Sequence, residues 1–96
     1  MAYKILFTED SLRDLEGILN SIRADKPEAS ERFGTALLNH VDLLENFPKL
    51  GVHVHERSGV RKILHSPVRI YYRVHEKRKV IEILHFWHVA RQNPVK

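Results

Sequence analysis

The hydrophobic period of the chain changes once, at Pro48-Lys49-Leu50-Gly51, and that change limits the folds open to it. Before it, apolar residues recur at helical spacing. Leu12, Leu15, Ile18, Leu19 and Ile22 fall on one stripe, with Arg13, Glu16, Asn20 and Arg23 on the other side. Ala29, Phe33, Ala36, Leu37, Val41, Leu44 and Phe47 form a second stripe that ends at Pro48. After it the pattern alternates, and Val60 to His65, Val68 to His75 and Val80 to Trp87 read as three strands.

Local signals set the boundaries. Tyr3 to Phe7 is a short β-like run, and Thr8 follows as an N-cap with Glu9 and Asp10 in a first turn whose dipole favours acids. The first helix is expected from about Glu9 to about Ala24, and Pro27 opens a second, longer one. Only Asp25-Lys26 lies between them, so the helices must form an antiparallel hairpin with both stripes turned to a shared core. Leu38 lies off the second stripe and reads as a surface leucine or a partner contact. Ser66-Pro67 and the polar turn Glu76-Lys77-Arg78-Lys79 are short enough to force an antiparallel meander. The order is β-α-α-β-β-β. This is an α+β fold in which a helical hairpin packs on one face of a twisted, mainly antiparallel sheet. With 96 residues the chain supports one domain, residues 1–96.

Charge divides at the same place as the period. Residues 1–50 carry 6 Lys/Arg and 9 Asp/Glu, a net of −3, whereas residues 51–96 carry 10 Lys/Arg and 3 Asp/Glu, a net of +7. A cationic half of this kind suits RNA or an acidic protein segment, and it also suits a solvated sheet edge protected by charge. The chain has no cysteine, which removes disulfides, thiolate catalysis and Cys-ligated zinc. Met1 to Thr8 has no signal-peptide pattern, and no apolar run approaches the ~20 residues needed to span a bilayer. A cytoplasmic protein without a membrane partner is expected.

The second meander strand alternates Val68, Ile70, Tyr72 and Val74 with Arg69, Tyr71, Arg73 and His75, so one face should pack and the other bind. On the third, Ile81, Ile83, His85 and Trp87 oppose Glu82, Leu84, Phe86 and His88, and neither face is cleanly polar. Seven histidines prompt a metal reading. His53-x-His55 could chelate from one strand face, but no acid or cysteine is spaced to complete a site, so no metal and no cofactor are expected. His40, His53, His55 and His75 read as surface groups in local hydrogen bonds. A metal-free ribonuclease needs a base for the ribose 2′-OH, an acid for the leaving oxygen and cations for the phosphorane-like transition state. Arg61, Arg69, Arg73, Arg91, His85 and His88 are the groups able to fill those roles, and the same residues also suit structural pairing or an acidic partner.

Three short motifs then occur in a familiar order. Gly59-Val60-Arg61-Lys62-Ile63 is a Gly-Val-Arg strand opening, His65-Ser66-Pro67-Val68-Arg69-Ile70-Tyr71-Tyr72-Arg73-Val74 is the strand after it, and His88-Val89-Ala90-Arg91-Gln92-Asn93-Pro94 ends the chain. Together with Pro48-Lys49-Leu50-Gly51 and the element order, these resemble the RelE/ParE superfamily of type II toxin–antitoxin toxins, the plasmid stabilisation family. The ending is similar to that of ParE-like members. The resemblance implies a growth-arresting toxin with either of two targets: DNA gyrase, for ParE-like members, or mRNA in the ribosomal A site, cleaved by RelE-like ones. The chain lacks the RelE-type tyrosine near its C-terminus and has Trp87-His88 there, which favours the ParE-like branch. In that branch Arg61, Lys62, Arg69, Arg73 and Arg91 contact the target and no residue is catalytic. In the endonuclease alternative, His85 or His88 is the acid or base, with Arg61 and Arg91 on the scissile phosphate. The resemblance further implies an acidic-tailed antitoxin that wraps the toxin and alone carries it to operator DNA. A non-toxic or degenerate interaction module is the alternative from another class.

Overall fold

The computed structural model describes residues 2–90. Strand β1 (Lys4–Phe7) leads into helices α1 (Glu9–Asp25) and α2 (Pro27–Asp42), a 3-10 turn (Leu43–Glu45), and strands β2 (Val52–His53), β3 (Val60–His65), β4 (Val68–His75) and β5 (Val80–His88). The sheet order is β1-β5-β4-β3-β2. The last four strands are antiparallel neighbours, and β1 pairs in parallel with β5, Lys4 against Val80 through Phe7 against Ile83. The expected α+β hairpin-on-sheet architecture is therefore present, with one parallel edge strand and one additional two-residue strand, β2.

Thr8 joins sheet to helix. Its hydroxyl accepts from the Ser11 amide at 3.1 Å, which caps α1, and donates to the Ile83 carbonyl at 2.9 Å, which ties the cap to β5. The helices close on each other where Gly34 admits Leu19 and the buried Ser30 hydroxyl donates to the Leu19 carbonyl at 2.7 Å. Their inner stripes meet Ile63, Val68, Ile70, Tyr72, Ile81, Ile83 and Phe86 of the sheet in the main core. Each large apolar side chain buried there contributes roughly 1.5–3 kcal/mol.

The stripes end sooner than their periodicity suggests. Leu12 is 50% exposed and Phe47 59% exposed, and Ala36 also faces solvent. Phe47 lies beyond α2 and beyond the 3-10 turn, whose Leu44 is the last residue of the stripe in the core. Leu38, 37% exposed, is a surface leucine as its position off the stripe indicates.

In β5 the alternation itself breaks. Tyr71 pairs with His85 but Tyr72 pairs with Ile83, so Leu84 is an extra residue and a bulge. Ile81 and Ile83 face the helices before the bulge and Phe86 faces them after it. This explains why neither set of alternate residues in β5 is cleanly polar. The sheet's second face is also less open than its sequence implies: Tyr71, expected on the binding face, is only 1% exposed, packed with Val54, Val60, Leu84 and Trp87 in a second small core.

Candidate functional site

Residues paired across neighbouring strands share a face. Val60, Arg73 and Glu82 form one row on the second face, Lys62 and Tyr71 lie in the next, and Leu64, Arg69 and Trp87 form a third. Lys62, Arg69 and Arg73 thus surround the Tyr71 core as cations on a common surface. Exposed Leu64 (58%) lies beside Arg69, and exposed Val52 (62%) pairs with Lys62. The result is a mixed basic and apolar face that continues to the outer edge of β3.

Arg61 is elsewhere. It pairs with Tyr72 and so belongs to the helix-facing side. Its guanidinium donates to the Gly51 carbonyl at 2.7 Å and to the Lys49 carbonyl at 3.4 Å, and lies 3.2 Å from His53 Nε2. The Tyr72 hydroxyl holds the same turn, accepting from the Gly51 amide at 2.8 Å and donating to the Pro48 carbonyl at 2.8 Å. Burial pushes that hydroxyl above the usual phenol range, opposed by the Gly51 hydrogen bond and the Arg61 charge. It stays protonated at neutral pH, as donation to Pro48 requires.

The two candidate acid–base histidines also separate. His85 Nδ1 lies 3.0 Å from Asp14 Oδ2 on α1, and the same carboxylate oxygen accepts from the Phe86 amide at 3.2 Å, so Asp14 covers a stretch of the β5 edge beyond β1. His88 lies on the helix-facing side, where it lines a hollow of about 540 Å³ with Ile18, Ile22, Phe33 and Val68, and its Nδ1 accepts from the Ala90 amide at 3.2 Å. Arg91, placed by the sequence among both the catalytic and the target-binding residues, lies outside the described residues. Among the described residues no group of three or more His, Asp or Glu side chains is placed to hold a metal ion.

The sequence model of one family, described as the ParE toxin of the type II toxin–antitoxin system parDE, matches residues 5–93. The chain belongs to the ParE toxin family. Its fold is similar to that of a chain from the chromosomal ParDE system of Pseudomonas aeruginosa, with TM-score 0.78 and 24% identity over 92% of this chain and 97% of that one. A chain of the RelBE2 toxin–antitoxin complex of Mycobacterium tuberculosis has TM-score 0.64 and 20% identity over 92% of this chain and 99% of that one. One from the archaeal RelE–RelB complex of Pyrococcus horikoshii has TM-score 0.65 and 20% identity over 96% and 100%. No curated protein sequence matches this one. This ParE-family chain is the toxin of a type II toxin–antitoxin system.

Three features of the toxin escaped its sequence. Asp14 reads there as one acid among many on α1, yet it reaches both His85 and the β5 backbone. Tyr72 reads as core, and its hydroxyl links to the Pro48–Gly51 turn are visible only once β4 lies beside that turn. His40, read as a surface group, meets His65 across 2.9 Å.

Proposed function

We propose that the toxin arrests growth by poisoning DNA gyrase, with the basic sheet face as the target contact and no residue acting as a catalyst. The dispersal of the groups an mRNA endonuclease needs supports this reading most. A general acid, a general base and a phosphate-binding cation must reach one phosphodiester within hydrogen-bond distance. Arg61 and His88 lie at opposite ends of the strands: four residues of β3, ~13 Å at ~3.3 Å per residue, separate Arg61 from His65, which shares a row with His88. Arg61 is taken up by backbone carbonyls and His85 by Asp14. Lys62, Arg69 and Arg73, by contrast, stand on one face, where their summed field suits an acidic or nucleic-acid-bound surface. The match to the ParE family points the same way. One observation favours the endonuclease reading: Asp14 holds His85 in the manner by which a carboxylate orients a general base.

The same basic face and the outer edge of β3 suit the acidic C-terminal segment of a cognate antitoxin, which would add along the sheet and cover the target surface. The M. tuberculosis neighbour comes from a toxin–antitoxin complex and the P. horikoshii neighbour from a RelE–RelB complex, which supports an antitoxin as the partner. Operator DNA is then reached through the antitoxin, and the toxin acts in the cytoplasm. Among the described residues no helix is long and apolar enough to cross a membrane.

Purified toxin mixed with gyrase and supercoiled plasmid is expected to accumulate cleaved DNA–gyrase complexes and to leave mRNA intact in a translating mixture. His85→Gln and His88→Gln should keep the growth arrest. A-site-cut mRNA, lost on either histidine substitution, overturns the proposal; growth unaffected by expression of folded toxin marks a degenerate module instead.

A further inference from the structure

Two imidazoles face each other where α2 meets β3. His40 sits in the last turn of α2 and His65 ends β3, with Nδ1 atoms 2.9 Å apart, ring centroids 5.1 Å apart and planes inclined by 59°. Phe33, two turns earlier on α2, meets His65 edge-on at 5.5 Å. Both imidazoles are half-buried. A contact this short between ring nitrogens requires one hydrogen between them, one Nδ1 donating and the other accepting. Two neutral rings meet that condition with opposite tautomers. One added proton strengthens the bond, because an imidazolium is the better donor. A second places an N–H on both facing atoms and sets two positive charges side by side.

The surroundings do not offset that charge. Among the described residues neither ring has a carboxylate within ion-pair distance. Lys62 and Arg69 line a groove of about 400 Å³ together with His40, Leu50 and Leu64. His88 shares a row with His65, one strand beyond Val68. Asp42, two residues past His40 on α2, is exposed and pairs with neither ring.

We propose that His40 and His65 form an acid-sensitive latch, which holds the end of α2 on β3 through a shared hydrogen and opens when both rings are charged. Desolvation first, and the His40 charge second, hold His65 below its ordinary value of 6.5. The unfolded chain therefore takes up this proton at a higher pH than the folded one. The stabilisation is present above pH 6.5 and is lost as pH falls through the lowered value. The groove beside β3 changes shape with it, so acid acts on the edge of the basic face.

Histidine ring resonances of the full chain, followed by NMR from pH 8 to pH 5, test the latch. His65 is expected to titrate below 6.5, with an inflection shared by the His40 resonances, and His40→Asn should move the His65 midpoint upward. Amide exchange in residues 37–41 and 60–65, corrected for intrinsic rates, should accelerate about tenfold in acid for each unit by which the pair resists its second proton. That acceleration should vanish in H40Q/H65Q. A single-step His65 titration at or above 6.5, or acid exchange that rises equally throughout the molecule, overturns the proposal. If H40N does not fold, the wild-type titration decides by itself.

Discussion

At Tyr72 a single hydroxyl joins a core strand to the turn at which the chain passes from helix to sheet. Tyr72→Phe keeps the buried ring but leaves the Gly51 amide and the Pro48 carbonyl without this partner. The expected loss is about 1–3 kcal/mol in urea unfolding, the usual cost of a buried polar group left unpaired. The same substitution has a pH signature. Burial raises the Tyr72 pKa above its ordinary 10.0, so its contribution is complete below pH 10 and is lost as pH rises through the raised value. Y72F should therefore blunt the alkaline decline in stability measured as pH is raised above 10. Gly51, legible in the sequence only as punctuation, has a second reason to be glycine: a Cβ there would meet the Lys62 carbonyl oxygen at 2.6 Å and Tyr72 Cε1 at 2.9 Å. Gly51→Ala should lower stability by about 1–3 kcal/mol through overpacking, read by thermal unfolding.

The helices are the elements most legible in the sequence, because their caps and stripes are local. Thr8, Pro27 and the Asp25-Lys26 link define α1 and α2 to within a residue at their shared boundary. Thr8→Ala should cost about 1–2 kcal/mol in thermal unfolding, since it removes the cap on Ser11 and the bond to Ile83 together. The sheet was legible in its order and not in its edges. Strand β2 is only two residues long, too short for alternation to register. The bulge at Leu84 moves Phe86 and His88 to the helix-facing side in defiance of a strict period of two, and His85, between the bulge and Phe86, meets Asp14 of α1. The candidate histidines were thus found by type, while their environments depended on an irregularity and on a helix 71 positions away in sequence.

Over the whole molecule, the division of charge between the two halves of the sequence becomes a division between layers. The sheet's second face gathers Lys62, Arg69 and Arg73, and the helices carry acids such as Glu9, Glu16, Glu28 and Glu31 on their exposed surface. Replacing Lys62, Arg69 and Arg73 by alanine should weaken growth arrest on induction while leaving secondary structure unchanged by circular dichroism. Full toxicity of the triple variant would remove this face from the target contact. Family and architecture were legible because short motifs occur in order along nearly the entire chain. The target was not, because arginine and histidine serve equally well as contacts, catalysts and clamps until their neighbours are known, as Arg61 on the Pro48–Gly51 turn demonstrates.

The pairing of Lys4–Phe7 with Val80–Ile83 has a consequence for how the toxin comes into being. The first strand to be synthesised waits for the last, and contacts spanning that much of the chain form late. A nascent polypeptide can assemble its helical hairpin on the ribosome, yet the sheet beneath it stays incomplete until the final strand has emerged. The order of synthesis thus delays completion of the sheet, which carries the proposed target face, until β5 has followed the helical hairpin and the strands between them.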